Sequence, residues 1–413
     1  MPLVTISAEH PAYGGLTIGT LEGKVVMIKG TIPGERVEAR IEEEKSDYCK
    51  AAAVTIVEPS PDRVAPSCPY FGVCGGCQLQ HISYKRQVLI KEEVLRGTLR
   101  RIAGMDPLFA PPLIHEPPWH YRLRGQFKAA GGKLGFYKER TREVVDIESC
   151  PLMHETINAQ LGTARRLLGS FDFKEIHLSS GGGDSGVTAL LKGMSGSPRD
   201  AGQAGAALLG AGLSGACIEI GKKRTLCVGE PRITLDLLGL GYAISPQSFF
   251  QSHWELNREV VRYIRERLSP LRGKRILDLY SGAGNFSLPL AGEAEAVIAL
   301  EENPSAVQDG ERNKERNRIR NYRFVTSPAE QLAVKERIDI LITDPPRLGL
   351  SNRAVERVLA LMPGCIVYIS CNPATLARDL KKLAARYDVE SVRMIDFFPQ
   401  TYHIESLAIL RLR

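Results

Sequence analysis

The sequence has no run of eighteen consecutive apolar residues, which excludes a helix of the length that a bilayer requires. Its amino-terminal stretch, MPLVTISAEHPAYGG, lacks the basic start and apolar core of a secretion signal. These absences predict a cytoplasmic protein that does not enter a membrane. The composition has no extreme either: 43% apolar and 24% charged residues are ordinary for globular proteins, and 413 residues suffice for two or three domains.

The nine cysteines are an odd count, which argues against a complete set of disulfides. Three of them cluster in SCPYFGVCGGCQLQH as Cys68, Cys74 and Cys77, and Cys150 follows much later in ESCPLMH. Thiols that cluster so tightly in a reducing compartment indicate metal or cofactor ligation. The residues alone leave two alternatives open, a cuboidal iron–sulfur cluster and a zinc site with four thiolates.

The net charge of +7 leans towards a nucleic-acid partner. Much of the excess lies in residues 119–142, where seven Lys or Arg face a single Glu. Four aromatic residues interleave with these charges: Tyr121, Phe127, Phe136 and Tyr137. Aromatic rings beside cations are what single-stranded RNA or DNA requires, so we favour nucleic-acid contact over a merely solvated hairpin.

The pattern along the chain predicts three domains. Residues 1–62 alternate apolar and polar residues between turns, which is typical of a small antiparallel barrel. Residues 63–240 mix strands and helices, and the apolar spacing of 84–103 predicts a helix that ends at Gly104. Residues 241–413 alternate short apolar runs with helical segments, which indicates a mostly parallel sheet flanked by helices.

A glycine loop follows the first strand of that sheet, in RILDLYSGAGNFSLPLA. Gly282 lets the backbone approach a ligand closely, and a helix that starts there would offer free N–H groups. Glu301 ends the next strand, where a carboxylate can accept hydrogen bonds from a ribose. The dinucleotide fingerprint would need a third glycine where Ser287 stands. The form D-L-Y-S-G-A-G instead resembles motif one of class I S-adenosylmethionine-dependent methyltransferases.

Two further strands end in reactive side chains. Asp344, in ITDPPRLGL, stands where such methyltransferases meet the methyl acceptor, and Cys371, in YISCNP, ends the following strand. A thiol beside a methyl donor suggests covalent catalysis at a poorly nucleophilic carbon such as C5 of uracil. The thiolate would add to C6, C5 would take the methyl group, and a base would then remove the C5 proton. Glu405 and His403 are the candidates for that base.

Five stretches carry a wider resemblance: FFQ (249–251), DLYSGAGNFSLPLA, DPPRLGL, SCNP and HIESLAIL. They resemble the RNA uracil-C5 methyltransferase family, which makes 5-methyluridine in bacterial 23S ribosomal RNA and in transfer RNA. The resemblance extends over nearly the whole chain and implies an α/β fold with a class I, Rossmann-like methyltransferase domain. It also implies an amino-terminal barrel of the RNA-binding, OB-like TRAM type and a central α+β domain with an iron–sulfur cluster.

The resemblance assigns Cys371 as the nucleophile and Glu405, rather than His403, as the base. It implies that S-adenosylmethionine is held by Gln251, Tyr280, Gly282, Glu301 and Asp344. It implies a [4Fe-4S] cluster held by Cys68, Cys74, Cys77 and Cys150. The expected substrate is 23S ribosomal RNA, with transfer RNA as the alternative, and the expected state is a monomer. A flipped uracil would stack on an aromatic ring, with Phe136 and Phe249 as candidates.

Three other classes of protein share some of these sequence features. Radical enzymes also join iron–sulfur to S-adenosylmethionine, but they typically carry C-x3-C-x2-C, whereas here the first gap is five residues and a fourth cysteine closes the cluster. A non-catalytic iron–sulfur protein that binds RNA would not need Cys371 together with Glu405. A cytosine-C5 enzyme would carry its cysteine in a Pro-Cys motif instead of SCNP.

Overall fold

A computed structural model describes residues 3–182, 186–221, 224–334 and 336–413. Its amino-terminal part is a six-stranded sheet in the order β1-β5-β6-β4-β3-β2. The strands are β1 (Leu3–Ser7), β2 (His10–Ala12), β3 (Leu16–Leu21), β4 (Lys24–Lys29), β5 (Arg36–Glu44) and β6 (Tyr48–Glu58). The sheet is not wholly antiparallel as predicted, since β4 pairs parallel to β6. Strands β4 and β5 do not pair with each other. Strand β6 lies between them and pairs antiparallel with β5 on its other side.

The alternation in the sequence of β5 explains the core of this sheet. Val37, Ala39 and Ile41 are buried, while the charged residues between them are exposed. Successive strand side chains point to opposite faces, so the stretch RVEARIEEE buries one face and solvates the other.

The middle of the chain forms a seven-stranded mixed sheet in the order β13-β12-β11-β10-β7-β8-β9. The strands are β7 (Arg124–Ala130), β8 (Lys133–Tyr137), β9 (Val144–Asp146), β10 (Glu175–Ser180), β11 (Val187–Met194), β12 (Gly215–Ile220) and β13 (Arg224–Gly229). The helices here are α2 (Glu155–Ala159), α3 (Leu161–Leu168) and α4 (Pro198–Gly210), and they pack on this sheet. Cys217 and Cys227 face each other on β12 and β13 and form a disulfide, a pairing that the sequence did not indicate.

The carboxyl-terminal part contains a second seven-stranded sheet, preceded by a hairpin of β14 (Ile233–Leu237) and β15 (Leu240–Ile244). The sheet strands are β16 (Arg275–Leu279), β17 (Ala296–Glu301), β18 (Tyr322–Thr326), β19 (Ile340–Thr343), β20 (Cys365–Ser370), β21 (Tyr387–Ile395) and β22 (Glu405–Leu412). Their order is β18-β17-β16-β19-β20-β22-β21; the first five run parallel, and β22 runs antiparallel to both neighbours. The helices are α5 (Trp254–Leu268), α6 (Pro304–Arg316), α7 (Asn352–Leu361) and α8 (Pro373–Leu383).

This sheet has an apolar core on each face, which explains its continuous apolar strands. On β16, for example, Ile276 packs into one core and Leu277 into the other. The mostly parallel sheet predicted from the sequence is therefore confirmed.

A long helix joins the middle of the chain to this sheet. Helix α1 (Tyr84–Thr98) continues as one π-helical turn, Leu99–Ala103, and ends where Gly104 adopts φ +67°. The predicted helix and its glycine stop are confirmed. The helix packs against α8 and β21, and the buried Lys91 ammonium donates to Asp396 Oδ1 at 2.7 Å and to the Phe398 carbonyl at 3.0 Å. Helix α1 is thereby fixed to the segment that follows β21.

Two details differ from the sequence expectations. The glycine loop after β16 does not lead into an α-helix; it continues through turns to a short 3-10 helix, Leu288–Leu290, whose central Pro289 has no N–H to donate. The predicted domain boundaries after residues 62 and 240 stay predictions, and the second falls inside β15. In the described part of the chain, no helix is long and apolar enough to cross a membrane.

Candidate active site

The parallel strands bring four of the predicted cofactor residues to one edge of the sheet. Tyr280 follows β16, Glu301 ends β17 and Asp344 follows β19, so all three stand at carboxyl ends of neighbouring strands. Tyr280 and Gly282 both adopt left-handed backbone, with φ of +60° and +56°. The Gly282 N–H donates to Glu301 Oε2 at 2.9 Å, which ties the loop to the neighbouring strand. No atom of the described chain lies within 4 Å of where a Gly282 side chain would begin, so the loop is open on that side.

Buried polar atoms without partners indicate that this edge receives a polar ligand. Asp278 Oδ1, Ser281 Oγ and Thr343 Oγ1 are buried and have no hydrogen-bond partner among the described residues. Leaving such groups unpaired costs about 1–3 kcal/mol each, which a bound ligand can relieve. Burial raises the pKa of Asp278 to about 8, and its other oxygen accepts a hydrogen bond from Ser287 Oγ at 2.5 Å. The residues therefore fit a ligand that carries ribose hydroxyls and an amino-acid group, as S-adenosylmethionine does.

Gln251, the fifth predicted contact, lies at the end of a segment held from two sides. Arg124 of β7 donates hydrogen bonds to the carbonyls of Pro246 and Ser248, at 2.5 and 2.6 Å. Ser248 in turn donates to Asp309 of α6 at 2.6 Å. Gln251 itself is 6% exposed. Arg124 belongs to the basic stretch of the sequence, but its guanidinium binds these carbonyls and positions the segment that leads to Gln251.

Cys371 and Glu405 are brought together by the pairing of β20 with β22. Ser370, the last residue of β20, pairs with Ser406, the second residue of β22, so Cys371 and Glu405 each adjoin this last pair, and the charge of Glu405 acts on the Cys371 thiol. Glu405 is 6% exposed, and Cys371 is partly buried. Asp344 stands at the end of β19, the strand beside β20. The structure thus brings together the three reactive side chains that the sequence singled out.

The electrostatics of this cluster favour protonated acids. Burial, followed by the charges of Glu405 and Asp344, raises the pKa of the Cys371 thiol to about 12. Burial also raises the pKa of Asp344 to about 7 and lifts the pKa of Glu405 well above its usual range. Arg347 counteracts the shift at Cys371 and Glu405. The resting thiol therefore holds its proton firmly, and positive charge brought to the site lowers these pKa values.

His403 differs from Glu405 in its surroundings. Its ring packs against Phe398 and Tyr402, with centroid distances of 5.6 and 4.4 Å. Burial, aided by the charge of Arg347, lowers the pKa of His403 to about 4. The imidazole is therefore neutral at pH 7 and is a weak base.

Two residues of the site were not singled out from the sequence. Arg347 follows Asp344 in the quoted stretch DPPRLGL, so its place near that carboxylate could have been inferred. Tyr13 lies in the turn between β2 and β3 and packs edge-on against Tyr402 at 5.4 Å. Burial raises the pKa of its hydroxyl to about 12, and the charges of Cys371 and Glu405 add to this shift. A residue so remote along the chain gave no sequence signal.

The four predicted cluster cysteines line a common cavity of about 70 Å³. Burial raises the pKa of Cys74 and Cys150, and that of Cys77 to about 12. Within the described ranges, no three His, Cys, Asp or Glu side chains close around a single metal ion. Four thiols that line one cavity are donors that either an iron–sulfur cluster or zinc can use.

The aromatic residues of the basic stretch do not form the predicted stacking surface. Tyr121 is buried and donates to the Pro399 carbonyl at 3.1 Å, and Phe127 is fully buried. Phe136 lines the cysteine cavity and packs on Phe127 at 5.1 Å, so it does not serve a base in the active site. Tyr137 is exposed. Phe249, two positions before Gln251, is 69% exposed and stays the better stacking candidate.

A parallel sheet with a glycine loop, one acid at the end of its second strand and two more acids near an unpaired thiol is the arrangement of an S-adenosylmethionine-dependent methyltransferase. Comparisons with known proteins extend this assignment. The family described as tRNA (Uracil-5-)-methyltransferase matches residues 230–413, and the TRAM domain family matches residues 3–54.

Whole-chain relatives specify the class. An RNA methyltransferase of Aquifex aeolicus is 34% identical over 99% of this chain and 98% of its own length. The 23S rRNA (uracil(1939)-C(5))-methyltransferase of Shewanella amazonensis is 33% identical over 99% and 96%. The structure of Pyrococcus abyssi tRNA (uracil-54, C5)-methyltransferase in complex with S-adenosyl-L-homocysteine superposes with a TM-score of 0.77, at 26% identity, and covers 98% of this chain and 100% of that one.

The chain belongs to the RNA uracil-5-methyltransferase family and is an S-adenosylmethionine-dependent enzyme that acts on RNA. The amino-terminal sheet is a TRAM domain. The predictions of a TRAM domain, a methyltransferase fold, the reaction class and the methyl donor are confirmed, whereas the iron–sulfur cluster and its domain stay predictions. The non-catalytic alternative is set aside.

Proposed function

We propose that the enzyme methylates C5 of a uridine through a transient bond between Cys371 Sγ and C6 of the ring. The observation that supports this best is the β20–β22 register, whose last pair, Ser370 with Ser406, has Cys371 and Glu405 as the adjoining residues. A nucleophile and a base held near each other by two paired strands can act on adjacent ring atoms, C6 and C5.

The chemistry divides between the two residues. Cys371 loses its proton and adds to C6, and the electrons of the C5–C6 double bond move to the carbonyl at C4 as an enolate. S-adenosylmethionine, which Gln251, Tyr280, Gly282, Glu301 and Asp344 would hold, would supply the methyl group and positive charge; its sulfur–methyl bond would break as the bond to C5 forms, and S-adenosylhomocysteine would leave. C5 then carries both a methyl group and a proton. Removal of that proton re-forms the double bond and expels the thiolate.

Glu405 is the base in this proposal. Its raised pKa makes the ionised carboxylate a strong acceptor for the C5 proton, whereas His403, with a pKa near 4, accepts protons poorly at neutral pH. Arg347, whose charge lowers the pKa of Glu405, assists its return to the ionised form.

We propose that Cys68, Cys74, Cys77 and Cys150 hold a [4Fe-4S] cluster. Their shared cavity supplies four thiol donors for such a group. With four thiols available, the cluster needs no open coordination position, so we assign it a structural or RNA-docking role. Loss of activity in a Cys77→Ala variant that still folded and bound RNA normally would contradict that role.

We favour 23S ribosomal RNA as the substrate. Identity is 33% to the Shewanella amazonensis enzyme, named for 23S rRNA, and 26% to the Pyrococcus abyssi enzyme, named for tRNA. Mapping 5-methyluridine in cells that lack this protein tests the choice. Loss confined to the T-loop of transfer RNA would overturn it.

The covalent step is tested with RNA containing 5-fluorouridine, because fluorine at C5 cannot leave as a proton does. Wild-type enzyme with S-adenosylmethionine should form a stable protein–RNA adduct, and Cys371→Ala should form none. Cys365→Ala, which removes a buried thiol at the other end of β20, is the matched control and should behave as wild type. With natural RNA, Glu405→Gln should accumulate the methylated adduct, while His403→Asn should not.

A further inference from the structure

Gln400 lies in the segment 396–404, which joins β21 to β22 and leads directly to Glu405. It is 3% exposed and adopts φ +69°. A residue other than glycine held in left-handed backbone carries strain of about 1–3 kcal/mol, so the surroundings must hold it there.

The residues that hold Gln400 come from α1 and from the cysteine segment, residues 67–81, which contains Cys68, Cys74 and Cys77. The backbone N–H groups of Gln78 and Leu79 donate to the Gln400 carbonyl at 3.1 and 3.0 Å. The side chain of Gln87 donates to Gln400 Oε1 at 2.9 Å and accepts from the Gln400 N–H at 3.0 Å. Gln87 is fully buried, and its Nε2 also lies 3.1 and 2.8 Å from the carbonyl oxygens of Leu79 and Ile82, so three acceptors share its two N–H groups. Four hydrogen bonds therefore converge on a single strained residue.

The rest of the segment is tied along its length. Gln78 Oε1 accepts from the Tyr402 N–H at 3.4 Å, and its amide donates to the Gly75 carbonyl at 2.9 Å. Thr401 Oγ1 donates to the Phe398 carbonyl at 2.9 Å and accepts from the His403 N–H at 3.3 Å. Displacement of Gln400 therefore passes along a stiff segment to Glu405.

We propose that Gln400, clamped by Gln87, is a positioning residue that sets the Glu405 carboxylate against the C5 proton. The inference rests on the proposed role of Glu405. Cys371 belongs to a different connection, between β20 and α8, where Asn372 caps the helix by accepting from the Ala374 N–H at 3.0 Å. Loosening the clamp should therefore slow proton removal and leave the C–S bond-forming step unaffected.

The test uses Gln87→Met, which keeps the side-chain length and removes both amide contacts to Gln400. We expect kcat to fall about tenfold or more, as displacements of a catalytic group do. The rate of adduct formation with 5-fluorouridine RNA should stay within about twofold of wild type, because that step precedes proton removal. With natural RNA, methylated covalent adduct should accumulate in the steady state. A merely weakened fold would not produce this accumulation.

Thr98→Val is the matched control: Thr98 is a buried polar residue of α1, as Gln87 is, its hydroxyl donates to the Val94 carbonyl at 2.7 Å, and in the described chain it has no hydrogen bond to residues 396–404, so this variant should accumulate no adduct. Gln400→Ala provides a second variant if Gln87→Met does not fold, and it should also accumulate adduct.

Unchanged kcat, or equal slowing of turnover and 5-fluorouridine adduct formation, would overturn the inference. If methylated adduct accumulated in Glu405→Gln but not in Gln87→Met or Gln400→Ala, only the proposed positioning role of Gln400 would be rejected. Absence of accumulation in Glu405→Gln would instead reject the proposed base.

Discussion

Cys371 should react with iodoacetamide far more slowly than an ordinary thiol, although it is the proposed nucleophile. Burial and the neighbouring carboxyl groups raise its pKa to about 12. At pH 8 roughly one such thiol in ten thousand is ionised, against roughly a quarter for an ordinary thiol of pKa about 8.5. The more basic thiolate is intrinsically more reactive, by roughly 25- to 60-fold for this difference in pKa. The net rate at pH 8 should be roughly 40- to 100-fold below that of a free thiol.

The assay is peptide mass spectrometry of the alkylated protein across pH 7 to 10, with an unstructured cysteine peptide of thiol pKa about 8.5 as the reference. The rate at Cys371 should rise about tenfold per pH unit throughout this range, since ionisation limits it. Arg347→Met should slow the reaction further, because the charge of Arg347 lowers the thiol pKa and its removal therefore raises that pKa. Arg353→Met, an exposed arginine of α7, is the control and should change nothing. A rate at pH 8 close to that of the reference, or a plateau below pH 10, would refute the reasoning.

Three further predictions concern stability and the cysteine site. Lys91→Met leaves the fully buried Asp396 without its partner at 2.7 Å, so unfolding should become easier by about 3–5 kcal/mol, measured by urea denaturation; an unchanged midpoint would contradict it. Asp278 has a folded pKa of about 8 and an unfolded value of about 3.9, so the folded state binds its proton more tightly and stability should fall as pH rises between these values. Asp278→Asn should flatten that slope in urea midpoints at pH 5 and 8, and an unaltered slope would count against it. Cys77→Ser should lower the iron and sulfide content of anaerobically purified protein, and full occupancy would exclude Cys77 as a ligand.

The parallel sheet was predictable because its strands are apolar on both faces and end in reactive residues. Strand β21 was not predicted, since YDVESVRMI mixes charged and apolar residues, and its buried, half-buried and exposed positions do not alternate regularly. The helix expected after the glycine loop fails because Pro289 and a run of turns occupy its place. Local patterns report burial well, but they do not report where a strand is inserted in the sheet.

The same distinction applies to the site. Asp344 and Cys371 each directly follow a strand, and Glu405 begins one. Their positions along the chain were therefore enough to place them at one edge of the sheet. Tyr13 meets Tyr402, and Gln87 meets Gln400, only through tertiary packing. The two members of each pair are more than three hundred residues apart along the chain. The aromatic residues of the basic stretch misled because an amphipathic hairpin buries its rings in the core while exposing its cations.

The placement of β22 between β20 and β21 has a consequence for biosynthesis. During translation, residues 365–395 leave the ribosome before the strand that separates them, so the gap in the sheet must stay open until residues 405–412 emerge. Glu405 arrives with that strand. The nascent chain can therefore assemble the carboxyl ends of β16, β17 and β19 early, yet it gains the proposed base only when β22 closes the sheet.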